Sequence, residues 1–182
     1  MADSFNPVAG PNSRILVLGT VPGRESLSLN QYYANPRNAF WRIMGNLFDF
    51  STSLDYEARL NVLLSKGVAL WDVLASASRE NTSLDSKIVR GSEIPNDITD
   101  FLCEHPLVTH ILLNGSKAAE LFACHIESTL PPGKVAVHSL PSTSPANTSL
   151  SYEGKLAAWK KALRPLDPLD RFTWHEGDIT IL

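Results

Sequence analysis

The strongest constraint on the fold is a set of four short apolar runs separated by helix-like sequence. They are Arg14 to Thr20 (RILVLGT), Gly67 to Leu74 (GVALWDVL), His110 to Asn114 (HILLN) and Lys134 to Leu140 (KVAVHSL). A strand with one wet face alternates apolar and polar residues. These runs stay apolar, as strands do in a parallel sheet covered on both faces. Between them the apolar residues repeat at helical spacing. Phe40, Met44, Leu47 and Phe48 share one face of a helix that Asn38 can cap. Asp55 to Lys66 carries Tyr56, Leu60, Leu63 and Leu64 in register, with Gly67 as a C-cap. Ser116 to His125 and Tyr152 to Leu163 are two further helices, the second with Leu156, Trp159 and Leu163 on one face. Pro95 to Cys103 is a weaker one, with Pro95 placed as a first helical residue. Strand–helix alternation of this kind predicts a three-layer α/β/α sandwich around a central four-stranded parallel sheet.

The length of 182 residues suits a single domain, with a core over about 14–163 and a proline-punctuated acidic tail over 165–182. Asp178 to Leu182 could add an edge strand. No apolar run approaches the ~20 residues of a membrane span. Met1 to Pro11 lacks the basic start and apolar stretch of a secretory signal. Cys103 and Cys124 are the only cysteines, too few for a disulfide framework or a cysteine-held zinc. These features together predict a monomer in a reducing, cytoplasmic compartment, with no membrane partner. The net charge of -3 argues against coating nucleic acid by bulk charge, but allows contact with a few phosphates at one place.

In such sheets ligands bind beyond the carboxyl ends of the strands. After the first run comes Gly19-Thr20-Val21-Pro22-Gly23, a tight turn that lets a ligand approach the backbone. It has neither phosphate-loop nor dinucleotide-fingerprint spacing. Next comes Tyr32-Tyr33-Ala34-Asn35-Pro36-Arg37-Asn38-Ala39-Phe40-Trp41. Phe40 and Trp41 read as core. The tyrosines suit either core packing or stacking on a base, and Arg37 suits a phosphate. After the fourth run comes Leu140-Pro141-Ser142-Thr143-Ser144-Pro145-Ala146-Asn147, a proline-stiffened loop whose hydroxyls can donate to phosphates without adding charge. Asp72 and Asn114 close the second and third runs. Asp72 can read a base edge or hold local backbone. Asn114 can donate to a base carbonyl or simply turn the chain before Gly115. His105, His110, His125 and His138 show no metal-ligand spacing, and no serine lies in a G-x-S-x-G elbow.

The two loops on this alternation resemble the uracil-DNA glycosylase superfamily. The first has its G-x-x-P-G form, and the second stands where that superfamily places its minor-groove loop. The run from Tyr32 to Trp41 and the loop from Leu140 to Asn147 look most like the hypoxanthine-DNA (deoxyinosine) glycosylase branch. The mismatch-specific uracil glycosylases, with a related P-x-N-x-F-W run, are near relatives. The resemblance spans about 14–163. It implies a base-excision repair enzyme that hydrolyses the N-glycosidic bond of a deaminated base, most plainly hypoxanthine, flipped out of double- or single-stranded damaged DNA. It implies no metal and no organic cofactor. A uracil glycosylase acting on G:U mismatches and a DNA-binding module with weak catalysis are the alternatives.

Two positions depart from the superfamily. Val21 stands where several branches carry Asn or Asp to handle water, and Leu140 stands where the uracil enzymes carry His. The hypoxanthine branch shares this pattern and assigns catalysis to the Asn of its Pro-Arg-Asn run, here Asn38. That branch usually has His before this run, where this chain has Asn35, read as a residue that tunes the loop. The resemblance thus implies Asn38 as catalytic, with Gly19, Thr20, Tyr33, Asp72 and Asn114 around the base. Arg37, Ser142, Thr143, Ser144 and Asn147 would lie on the DNA. An amide is chemically sufficient, since an oxocarbenium-like centre needs a positioned water more than an activated one. Asn38 as a helix cap is the competing reading.

Overall fold

The computed structural model describes residues 1–80 and 82–166. The expected edge strand at Asp178 to Leu182 lies outside them. Four strands form the parallel sheet: β2 (Ile15–Gly19), β3 (Val68–Asp72), β6 (His110–Asn114) and β7 (Ala136–Leu140). Their spatial order is β3-β2-β6-β7, and Gly19 is level with Asp72, and Asn114 with Leu140. All four carboxyl ends therefore emerge on one side.

The continuous apolar runs are explained by where alternate residues go. Ile15 and Val17 of β2 join one core cluster, with Val68, Leu70 and Leu112. Leu16 and Leu18 join another, with Ala69, Ile111 and Leu113. Side chains alternate across a strand, so both faces of the sheet are buried. Helices α2 (Phe40–Phe48), α3 (Tyr56–Ser65) and α6 (Tyr152–Leu163) cover the first face. Helices α4 (Ile98–Glu104) and α5 (Ser116–His125) cover the second. This is the expected three-layer sandwich. Its helices have local starts: Asp55, Asp97 and Ser151 each accept a hydrogen bond from a backbone N–H of their helix's first turn.

Several details differ from the sequence reading. The second apolar run is not one strand. It leaves the main sheet after Asp72 and continues as β4 (Leu74–Ala77), which pairs with β1 (Ala2–Asp3) and β5 (Ile94–Pro95) in a small antiparallel sheet. Pro95 thus belongs to a strand opposite Leu74, and α4 starts later, behind Asp97. The fourth run is an edge: Ala136, Val137 and Ser139 of β7 are exposed. A short helix, α1 (Arg24–Leu29), follows the first loop.

The amino-terminal segment crosses beneath the end of β3. Val8 bridges Leu70, Phe5 O accepts from Trp71 Nε1 at 3.0 Å, and Ser4 Oγ lies 3.3 Å from Asp72 Oδ2.

Candidate active site

The carboxyl ends of the parallel strands open into a cleft of about 970 Å3, and every candidate site residue from Gly19 to Asn147 lines it. Its floor is Asp72, which is 4 % exposed. The carboxylate packs directly against Gly19, where a Cβ would collide with Asp72 Oδ1 and approach Tyr33 Oη to 3.4 Å. Only glycine fits at that point of the first loop. Burial pushes the Asp72 carboxyl up to about 7, with the nearby Asp85 adding to the rise and Ser4 and Arg79 opposing it.

Tyr33 holds a left-handed backbone conformation, φ 56°, uncommon for a bulky residue and a mark of a constrained site. Its ring stacks on Phe40, with centroids 3.9 Å apart, and its buried hydroxyl, beside Asn114, has no partner at good hydrogen-bond geometry among the described residues. Tyr32 is core: it is 4 % exposed, its hydroxyl donates to Asn6 O, and its carbonyl accepts from Trp41 Nε1. The bend into α2 is built by asparagines. Asn35 Oδ1 accepts from Arg37 N–H at 2.9 Å, and Asn35 O from Asn38 N–H at 2.8 Å. Asn38 Oδ1 accepts from Phe40 N–H at 3.0 Å. Asn38 is thus not the cap expected from sequence: the N-cap of α2 is Ala39, and Asn38 stands one residue before it, bonding Phe40 N–H from there. Among the described residues nothing else bonds the Asn38 side-chain amide, which lines the cleft. Arg37 is exposed at the rim.

The second loop is held from two sides. Asn114 and Thr143 exchange a pair of hydrogen bonds, Nδ2 to Oγ1 and Thr143 N–H to Oδ1, both 2.9 Å. Gly115 permits this closeness, because a Cβ there would stand 2.7 Å from Ser142 Cβ. From α6, Lys155 Nζ donates to Ser144 O at 3.0 Å and Asn147 O at 2.8 Å, and Trp159 Nε1 donates to Pro141 O at 3.0 Å. Ser142 Oγ and Ser144 Oγ accept from loop N–H groups. Among the described residues neither hydroxyl donates its own proton, which leaves both available at the cleft.

Residues 7–165 match the sequence profile of the uracil DNA glycosylase superfamily. The chain belongs to that superfamily. A protein of Methanosarcina acetivorans named hypoxanthine DNA glycosylase is 36% identical over 161 residues, 88% of this chain and 96% of the relative. One of the same name from Methanosarcina barkeri is 33% identical over the same shares of the two chains. A solution NMR structure from M. acetivorans, suggested to be a uracil DNA glycosylase, superposes with a TM-score of 0.76 at 33% identity, covering 91% of this chain and 98% of that one.

Within this superfamily fold, three of the expected site residues line the cleft and also make contacts within the protein. Asn114, expected on the base, has its amide oxygen and one amide hydrogen committed to Thr143. Thr143, expected on DNA, is 1 % exposed and ties the loop to the sheet. Asn147, also expected on DNA, closes the loop, with Nδ2 donating to Ser142 O at 3.0 Å and Oδ1 accepting from Ser149. In each case a polar group makes a contact, distant in sequence or local to the loop, that the sequence reading did not foresee.

The sequence reading missed three residues. Lys155 had a visible signal, because it lies one turn from Trp159 and two from Leu163, a charge on the buried face of an amphipathic helix. Arg79 and Asp85 had none. They lie in a polar stretch without periodicity. In the fold Arg79 donates to Val21 O at 2.8 Å, Pro22 O at 3.2 Å and Asp85 Oδ1 at 2.9 Å. Val21 itself is 7 % exposed and packs into the second core cluster.

Proposed function

We propose that this chain is a monofunctional DNA glycosylase that hydrolyses the N-glycosidic bond of deoxyinosine flipped out of DNA. The observation that carries the reading is the meeting of Tyr33, Asn38 and Asp72 in one cleft, beneath a hydroxyl-bearing rim. The names of the Methanosarcina relatives point the same way. We read the enzyme as a single-domain, cytoplasmic monomer. No helix among the described residues is long and apolar enough to cross a membrane.

In this reading Arg37, Ser142 and Ser144 hold phosphates at the rim. Tyr33 offers ring surface to the extruded base, backed by Phe40. Hypoxanthine presents a ring N–H beside a carbonyl, the reverse of adenine's acceptor beside a donor. A pocket that pairs with that edge rejects adenine by leaving buried groups unpaired. Asp72 reads the edge from the floor. In its protonated form, held there by burial, the carboxyl donates to the base oxygen on which departing negative charge collects. Ionised, it would repel that charge. Asn38 places the water that captures C1′.

Uracil carries the same lactam edge, so deoxyuridine is the competing substrate. Matched duplexes holding one deoxyinosine, deoxyuridine or deoxyxanthosine, treated with protein and then alkali, test the proposal. Strand breaks chiefly at deoxyinosine are expected. Breaks at deoxyuridine alone would move the assignment to uracil, and breaks at none would leave only DNA binding.

A further inference from the structure

When water adds to C1′ it must release a proton, so a basic oxygen has to stand beside it. The first loop does not supply one, because Val21 has an apolar side chain in the core. Asn38 is a poor acceptor at this point, because an amide oxygen is weakly basic and this one already accepts from Phe40 N–H. A carboxylate does line the same cleft. Asp85 enters from the short helical turn at Asp85–Lys87, next to Thr20 of the first loop.

Its partner fixes its place. The Arg79 side chain is 5 % exposed, whereas that of Asp85 is 39 % exposed. Both Nη atoms of this enclosed guanidinium are matched, while its buried Nε has no partner among the described residues. One Nη2 atom serves both Asp85 Oδ1 and Val21 O, so carboxylate and loop share a single anchor. Nη1 holds Pro22 O. The pair thus sets a carboxylate against the turn at the position whose own side chain, Val21, has no polar atom.

We propose that Asp85 receives the proton of the attacking water and that Arg79 is its positioning residue, an inference that rests on the glycosylase reading above. As the C1′–N9 bond breaks, its electron pair leaves with the base. The water oxygen bonds to C1′, and one water proton passes to the Asp85 carboxylate. The departing base anion regains a proton from solvent, and Asp85 returns its own to solvent. The products are free hypoxanthine and an abasic deoxyribose.

The charged groups facing Asp85 are Arg79, Lys117 and Asp72. Burial lifts its carboxyl above the ordinary range, while Arg79 and Lys117 pull it back. An acceptor must be ionised, so cleavage should fall as pH drops through that raised value.

Single-turnover cleavage of a deoxyinosine duplex by the full chain tests this, from pH 5 to pH 8, with lesion-duplex Kd measured in parallel. Asp85→Asn should lose about 100-fold in rate, keep its Kd within about threefold, and lose the acid limb of the wild-type profile. Asp85→Glu, which keeps a charge for Arg79, should retain more than about a tenth of the rate. Formate added to Asp85→Ala should restore activity, which a purely structural role would not allow. Arg79→Met should shift the acid limb to higher pH. An Asp85→Asn rate within about threefold of wild type overturns the proposal. So do losses that track thermal unfolding and resist formate. A wild-type protein inactive on deoxyinosine and deoxyuridine overturns the glycosylase reading instead.

Discussion

The two walls of the cleft are held in different ways. The second loop hangs from regular structure: Asn114 at the end of β6 grips Thr143, and Lys155 and Trp159, one turn apart on α6, grip Ser144, Asn147 and Pro141. The first loop starts on backbone bonds from Val73 N–H to Gly19 O and Leu74 N–H to Thr20 O, but its turn at Val21 and Pro22 is held from an irregular stretch by one guanidinium, and it faces a buried carboxyl across a glycine. The contrast divides the labour. A rim that grips phosphates needs shape, which strands and helices supply. A wall that does chemistry needs groups of unusual proton affinity, and these arise where polar side chains are buried against each other.

The sharpest attempt to break this division is Asn38→Ala. It should cost about 10²–10³ in single-turnover cleavage of deoxyinosine while lesion binding persists. Equal activity would make Asn38 only the bond to Phe40 N–H, and chemistry would have to be sought elsewhere in the cleft.

Asp72→Asn addresses stability. The folded protein holds this proton more tightly than the unfolded chain, since the carboxyl is raised from 3.8 to about 7. The contribution of this group to stability is therefore fully present below about pH 4 and is lost as pH rises towards 7. The neutral amide should be more stable than wild type at pH 8, by on the order of 3–4 kcal/mol, with the gap shrinking towards pH 4.5 in urea unfolding. Its cleavage rate should lose the wild-type decline above about pH 7. A wild type whose stability is flat across that range would remove the buried acid from the floor.

Much of this architecture was readable in the residues. Ile15 to Leu18 announced a strand buried on both faces because hydrophobicity is local and repeats with the backbone. The carboxyl-end rule then led to Asp72, Asn114 and both loops. The pairing partners were not readable. Asn114 meets Thr143 at a separation of 29 residues and Arg79 meets Val21 at 58, and contacts across such distances leave no period in the sequence. The small sheet was hidden for the same reason: Leu74 to Ala77 continues an apolar run, and only the amino terminus and Pro95 divert it.

Tyr33→Ala should weaken lesion-duplex binding by about 1–3 kcal/mol and undamaged-duplex binding far less. Equal losses on both would assign the ring to packing against Phe40. The smallest effect is expected at the better-supported wall. Lys155→Met removes two charge-assisted bonds to loop carbonyls, and should weaken binding to any duplex by about 1 kcal/mol with little change in the rate at saturation. A large fall in that rate would mean that the rim also takes part in chemistry.

The path of the amino terminus has a practical side. Ser4, Phe5 and Val8 are wedged under the end of β3, where Ser4 is the hydroxyl against Asp72. Trimming these residues would leave both loops and all four parallel strands covalently whole. It would also open the acid on the floor to bulk water, which lowers its proton affinity. A preparation shortened there could look folded by every spectroscopic measure and yet titrate as a different enzyme.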